Sequence, residues 1–262
     1  MRYIVQEIIR GFLFPEGPLI YEGRLYLVDA YKGSVYYVVG EKEVVELINT
    51  GGNPTGLAAN NGELYIADSG LDSVLKYSFK EKKLDGFVTQ YEGKSLEAPN
   101  DLVFDSNGGL YFTAPLGSEN ESVGKVYYVD SVGKVSLFAE GMRYPNGVLL
   151  DLEQNNLFVA ETRFQRILRF PLASPGNAAG SPCVFADLQG KPDGMCLDKD
   201  GNIYAALYGS GCVVRVNPRG RVEEIVEIPG YQPTNITINM EEGFFYVTEA
   251  EKGQVIKIEE LP

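Results

Sequence analysis

The chain has 262 residues, 23 basic against 36 acidic side chains, a formal net charge of −13 and no histidine. That balance argues against nucleic acid and anionic membrane surfaces as partners. The missing imidazole removes Ser-His-Asp and Cys-His hydrolases, His-ligated zinc or iron sites and imidazole acid–base chemistry, so any catalysis rests on carboxylates, amides, hydroxyls, Lys, Arg or a hard metal ion.

In chain order, the first seven residues show no signal-peptide core, and no apolar run approaches the roughly 18 residues of a spanning helix. Residues 1–10 alternate weakly and precede a phrase that then recurs. The phrase is Pro, a polar residue, a short apolar run, a Gly-containing turn and a second strand. Pro15-Glu16-Gly17 leads to Leu25–Asp29, Pro54-Thr55-Gly56 to Leu64–Asp68, and Pro99-Asn100-Asp101 to Leu110–Thr113. Pro145-Asn146-Gly147 leads to Leu157–Glu161, Pro192-Asp193-Gly194 to Ile203–Ala206, and Pro233-Thr234-Asn235 to Phe245–Glu249. The post-proline residues are spaced by 39, 45, 46, 47 and 41 positions. A period of roughly 40–50 residues built from short strands marks a β-propeller.

The expectation is an all-β, six-bladed β-propeller with four-stranded antiparallel blades, spanning residues 1–262 as one domain. The last repeat supplies three strands, near 235–239, 244–249 and 253–259, so residues 2–9 are expected to close it as the fourth and hide an open edge. Ser174–Pro182 reads as a loop inside the fourth blade. The three cysteines, Cys183, Cys196 and Cys212, sit in apolar strand contexts. They read as buried free thiols, which fits a reducing cytoplasm. Tyr26, Tyr65, Tyr111, Tyr204 and Tyr246 share one register and read as packing between blades. Arg163, Arg166 and Arg169 read as solvated strand faces.

In a propeller the innermost strands all start at one end, so Glu16, Thr55, Asn100, Asn146, Asp193 and Thr234 converge on one mouth of the channel. The second strands finish at the same end, which places Asp29, Asp68, Glu161 and Glu249 around that cluster. Glu16 and Asp193 then oppose each other, and converging buried carboxylates are costly unless one protonates or a cation neutralises them. Oxygen donors suit Ca²⁺, Mg²⁺ or Mn²⁺. A divalent cation on Glu16, Asn146 and Asp193 is the economical solution; the same phrases also fit plain turn chemistry at strand entries.

The phrases Phe14–Pro18, Ala98–Asp101, Tyr144–Val148, Lys191–Met195 and Gln232–Asn235 resemble the gluconolactonase, senescence-marker-protein and luciferin-regenerating-enzyme family, in the right order across nearly the whole chain. The resemblance implies a six-bladed propeller holding one divalent cation, Ca²⁺ first, with Mg²⁺, Mn²⁺ or Zn²⁺ as alternatives. Glu16, Asn146 and Asp193 match its metal ligands, Asn100 its substrate contact, and Asp193 its general acid/base. The implied activity is hydrolysis of a small-molecule lactone. Two positions depart from the pattern: Ala98 stands where many members carry a sugar-acid-binding arginine, and Ala114 where many carry an aspartate. The fourth blade also looks like strictosidine-synthase-like propellers, and a non-catalytic binding scaffold is a third reading.

Overall fold

The computed structural model describes residues 2–40, 43–115 and 120–261. Those residues form six antiparallel sheets that follow one another along the chain. Blade 1 comprises Pro15–Tyr21, Arg24–Asp29, Ser34–Val39 and Glu43–Asn49, and blade 2 comprises Pro54–Asn60, Glu63–Asp68, Ser73–Ser78 and Lys83–Val88. Blade 3 is built from Leu102–Phe104, Leu110–Ala114, Gly124–Val129 and Val135–Met142. Blade 4 is built from Pro145–Leu150, Asn156–Glu161, Arg166–Ser174 and Cys183–Asp187, with the short Asn177–Ala178 pairing back inside the predicted loop. Blade 5 runs through Lys191–Leu197, Ile203–Tyr208, Cys212–Val216 and Val222–Glu227.

Blade 6 takes Pro233–Asn239, Phe244–Glu249 and Gln254–Glu260 from the end of the chain and Tyr3–Arg10 from its start. The predicted closure is therefore observed, with Tyr3 opposite Glu260 and Arg10 opposite Gln254. Pairing covers the edge of Gln254–Glu260, and Tyr3–Arg10 becomes the outermost strand of the blade.

Burial falls outward from the axis. The second strand of blade 1 is buried at every position after Arg24, whereas the outer strand Glu43–Asn49 has no buried residue. The inner strands are enclosed by neighbouring blades on both faces, so they read as continuous apolar runs. The core is a set of layers between blades: Tyr26, Val28 and Val35 pack with Leu57, Leu64 and Ile66 of the next blade. The recurrent tyrosines join these layers, as Tyr204 does against Phe245 at 4.3 Å and Tyr65 against Phe104 at 4.8 Å.

Two surface expectations are corrected. Cys183 is exposed, because it starts the outermost strand of blade 4, where the neighbouring blade no longer covers it. Arg163, Arg166 and Arg169 are half-buried. Arg166 is drawn in by the buried Glu161, which accepts from its Nε at 2.6 Å.

Register slips where function could sit. In five blades the innermost strand carries an irregularity within its Pro phrase or just after it, at Glu16/Leu19, Pro54/Gly56, Pro145/Val148, Pro192/Met195 and Pro233/Asn235. A bulge inserts a residue and re-aims the side chains beside it.

Candidate active site at the channel mouth

The Pro phrases open onto a mouth of about 520 Å³, within the size range of small-ligand sites (roughly 300–1,000 Å³). Of the six post-proline residues, Glu16, Thr55, Asn100, Asn146 and Asp193 line it and Thr234 does not. Thr234 is wholly buried in a hydrogen-bond chain with Thr248 and the Pro15 carbonyl.

Glu16, Asn146 and Asp193 are 5%, 4% and 7% exposed, so the floor of the mouth is dry enough for electrostatics to matter. Burial pushes the Glu16 carboxyl up to about 8, reinforced by the negative charge of Asp101; the Gly17 N–H and the Asn235 amide oppose the shift. Asp193 is raised well above the usual carboxylate range, first by burial and then by Glu16 and Asp101, with the Asn146 amide acting against them. Two oxygens on this floor, Asn146 Oδ1 and Asp193 Oδ1, are buried without a hydrogen-bond partner. Orphaned buried acceptors are costly, and a missing donor or cation is the ordinary reason for one. The donor set thus fits a hard divalent ion. It needs the amide oxygen, since among the described residues no three Asp, Glu, Cys or His side chains cluster as a metal cage by themselves.

Every one of these side chains is delivered by backbone that the preceding blade pins. Thr234 Oγ donates to the Pro15 carbonyl at 2.7 Å, just before Glu16, and Thr55 Oγ donates to the Asn100 carbonyl at 2.8 Å. Thr113 Oγ donates to the Asn146 carbonyl at 2.8 Å, and Thr162 Oγ to the Pro192 carbonyl at 2.7 Å, just before Asp193. A β-branched residue has few side-chain rotamers, so these hydroxyls are held ready at low entropic cost.

The second-strand acids, expected around the cluster, do not line the mouth. Asp29, Asp68, Glu161 and Glu249 are buried, but each turns to the loop that brings in its own blade's Pro phrase. Asp29 accepts from the Leu13 and Phe14 N–H groups, Asp68 from Asn53, Glu161 from Arg143 and Glu249 from Gln232. Buried carboxylates need donors, and the nearest are backbone amides of that loop.

With this geometry in view, the comparisons with known proteins decide the family. The sequence profile described as SMP-30/Gluconolactonase/LRE-like region matches residues 14–251. The chain belongs to that family. It is 32% identical over 229 residues to a lactonase drp35 of Staphylococcus epidermidis, a match covering 80% of this chain and 67% of that one. Among solved structures, a gluconolactonase from Xanthomonas campestris superposes with a TM-score of 0.88 at 21% identity, over 98% of this chain and 89% of that one. A calcium-binding regucalcin from Agrobacterium tumefaciens superposes with a TM-score of 0.84 at 21% identity, over 95% of this chain and 90% of that one. At such identities the two structures speak for the fold alone.

Family membership leaves room for residues that the phrase pattern missed. Asp101 is 8% exposed and is pushed up to about 6 by burial, against the Val148 and Leu102 N–H groups that it accepts at 3.1 and 2.9 Å. Its signal lay one place along each phrase, where four blades have Gly and the others have Asp101 and Asn235. The glycines make the space. A Cβ on Gly194 would sit 2.0 Å from the Asn235 side chain, and one on Gly56 2.5 Å from the Asn100 carbonyl oxygen. Lys191, Arg163 and Tyr208 also line the mouth; the sequence offered Lys191 as a partner for an acid and Arg163 as a solvated strand face, and Tyr208 carried no signal.

Proposed function

We propose that the protein is a lactonase whose floor residues Glu16, Asn146 and Asp193 hold one divalent cation, Ca²⁺ first, with Asp101 as a neighbouring carboxylate. The observation that carries this reading is the pair of orphaned oxygens, Asn146 Oδ1 and Asp193 Oδ1, beside Glu16 in a buried acidic floor. Membership of the family and the drp35 relative point to the same chemistry. Hard oxygen donors, two of them carboxylates, suit Ca²⁺, the ion bound by the regucalcin that shares this fold.

When bound there, a divalent cation supplies Lewis-acid polarisation of a lactone carbonyl. Asp193 takes a proton from water as its oxygen bonds to the carbonyl carbon. The ring C–O bond then breaks, and the proton passes from Asp193 to the departing ring oxygen, which becomes a hydroxyl. The new carboxylic acid ionises at neutral pH and releases one proton per turnover. Glu16 and Asp101 tune the base: their charge raises the proton affinity of Asp193 against the lowering effect of a cation, keeping it basic enough to act. Asn100, half-buried at the rim, orients the substrate with its amide.

The test is a lactone panel followed by proton release, with each metal removed and restored. Chelation should abolish turnover, and Asp193→Asn should lower kcat at least a hundredfold. Full turnover in metal-free protein, or an unaltered Asp193→Asn, refutes the reading. With three free cysteines, we place the protein in a reducing, cytoplasmic compartment.

A further inference from the structure

The blade 5 wall of the mouth carries two groups that hydrolysis as derived above leaves unused. Lys191 and Tyr208 are cross-strand partners at the mouth end of that blade, and both side chains line the mouth. Neither the Lys191 ammonium nor the Tyr208 hydroxyl has an ion-pair or hydrogen-bond partner among the described residues. Asp193 lies only two residues on, yet the two do not pair. The Thr162 bond to the Pro192 carbonyl fixes the backbone between them, so Lys191 stands on a held stem. The other cation of the mouth, Arg163, lies 5.9 Å over the Tyr144 ring.

Beyond the blade 6 sector, blade 1 presents Phe14 and Tyr31, whose rings are 4.8 Å apart, with Tyr31 66% exposed. Blade 6 supplies no lining residue, so Tyr31 and Tyr208 flank its sector. Ala98 and Pro115 on the blade 3 wall offer no polar side-chain group to a polyhydroxylated ring. An uncommitted cation and a phenol, side by side beyond the reacting centre, are the donors that a carboxylate takes.

We propose that Lys191, with the Tyr208 hydroxyl, anchors an anionic substituent, and that the preferred substrate is a lactone bearing a carboxylate on its ring. This rests on the lactonase reading for the reacting end and on Lys191 and Tyr208 for the other. In a chain of net charge −13 this local positive spot selects against the field of the whole protein, so its contribution is to affinity more than to encounter rate.

The test compares γ-butyrolactone with γ-butyrolactone-γ-carboxylate. Wild type should favour the carboxylate in kcat/KM, and Lys191→Met should reduce that preference about tenfold, mainly through KM. Lys191→Arg should retain most of it, and Tyr208→Phe should lose a smaller part. Melting curves of each variant confirm folding. An equal kcat/KM ratio in wild type and Lys191→Met overturns the proposal while leaving lactone hydrolysis intact. If wild type opens neither lactone, the lactonase reading fails separately. Calorimetric binding of the same two compounds then decides the anchor, which falls if Lys191→Met binds them with the wild-type preference.

Discussion

Two sets of buried acids stand at the same end of the propeller, and they behave differently. Asp29, Asp68, Glu161 and Glu249 are at most 1% exposed and accept hydrogen bonds from the loops of their own blades. Glu16, Asp101 and Asp193 are slightly less buried, yet their proton affinities are all raised, and Asp193 keeps an oxygen without a donor. Burial alone therefore does not tell the two sets apart; the raised proton affinities and, at Asp193, the missing donor do. Asp101 has two backbone donors and is still raised, whereas Asp193 keeps one oxygen open to a ligand or a proton.

That contrast can be broken most sharply by paired substitutions. Asp193→Asn should cost activity about 10²–10⁴-fold, while the metal-free protein melts at the wild-type temperature or above it because a repelling charge is gone. Asp29→Ala should do the reverse to stability. It strands the Leu13 and Phe14 N–H groups and removes the Lys32 ion pair at 3.1 Å, for a loss of about 2–4 kcal/mol by denaturant titration. Equal effects of the two on melting would erase the distinction between the sets.

Ion removal and pH sharpen the same contrast. Saturating Ca²⁺ at a hundred times its dissociation constant should stabilise the protein by about 2.7 kcal/mol, or several degrees in Tm, and chelation should remove this. Glu16 is raised from 4.5 to about 8 and Asp101 from 3.8 to about 6, so in both the folded state holds its proton more tightly than the unfolded one. Their contribution to metal-free stability is complete below pH 4, declines as pH rises, and is lost by about pH 8. A bound cation competes with those protons, so Ca²⁺ affinity should climb across the same window. A metal-free protein whose stability is level from pH 4 to 8 would contradict the acidic floor.

The smallest expected effect is at the hydroxyls that pin the floor. Thr162→Val keeps the shape and deletes the bond to the Pro192 carbonyl; it should weaken Ca²⁺ binding several-fold by calorimetry, with Thr162→Ser restoring most of it. A change in melting temperature with unaltered Ca²⁺ affinity would make Thr162 a structural residue only.

Much of this was open to reading from the chain. The Pro phrases located the innermost strands, because a repeat that cannot bury its faces alone must stack, and the residue after the proline marked the mouth in every phrase but that of Thr234. The closing strand was legible because three final strands leave an edge to be covered. Asp101 escaped because it sits in the register of glycines, where the pattern suggested a turn. The outer acids were placed at the right end, but their donors stayed hidden, since no sequence says which amides a carboxylate will meet.

The order of residues by itself determined the number of blades, the closure and which side chains arrive at one end of the axis, since these follow from period and alternation alone. Only the tertiary structure decided which buried carboxylates are left without donors, that threonines of neighbouring blades hold the floor, and that Lys191 and Tyr208 share one wall unpaired. Each of those facts depends on atoms that meet only in the folded chain, most of them from different blades, and hydrogen-bond satisfaction has no one-dimensional signature.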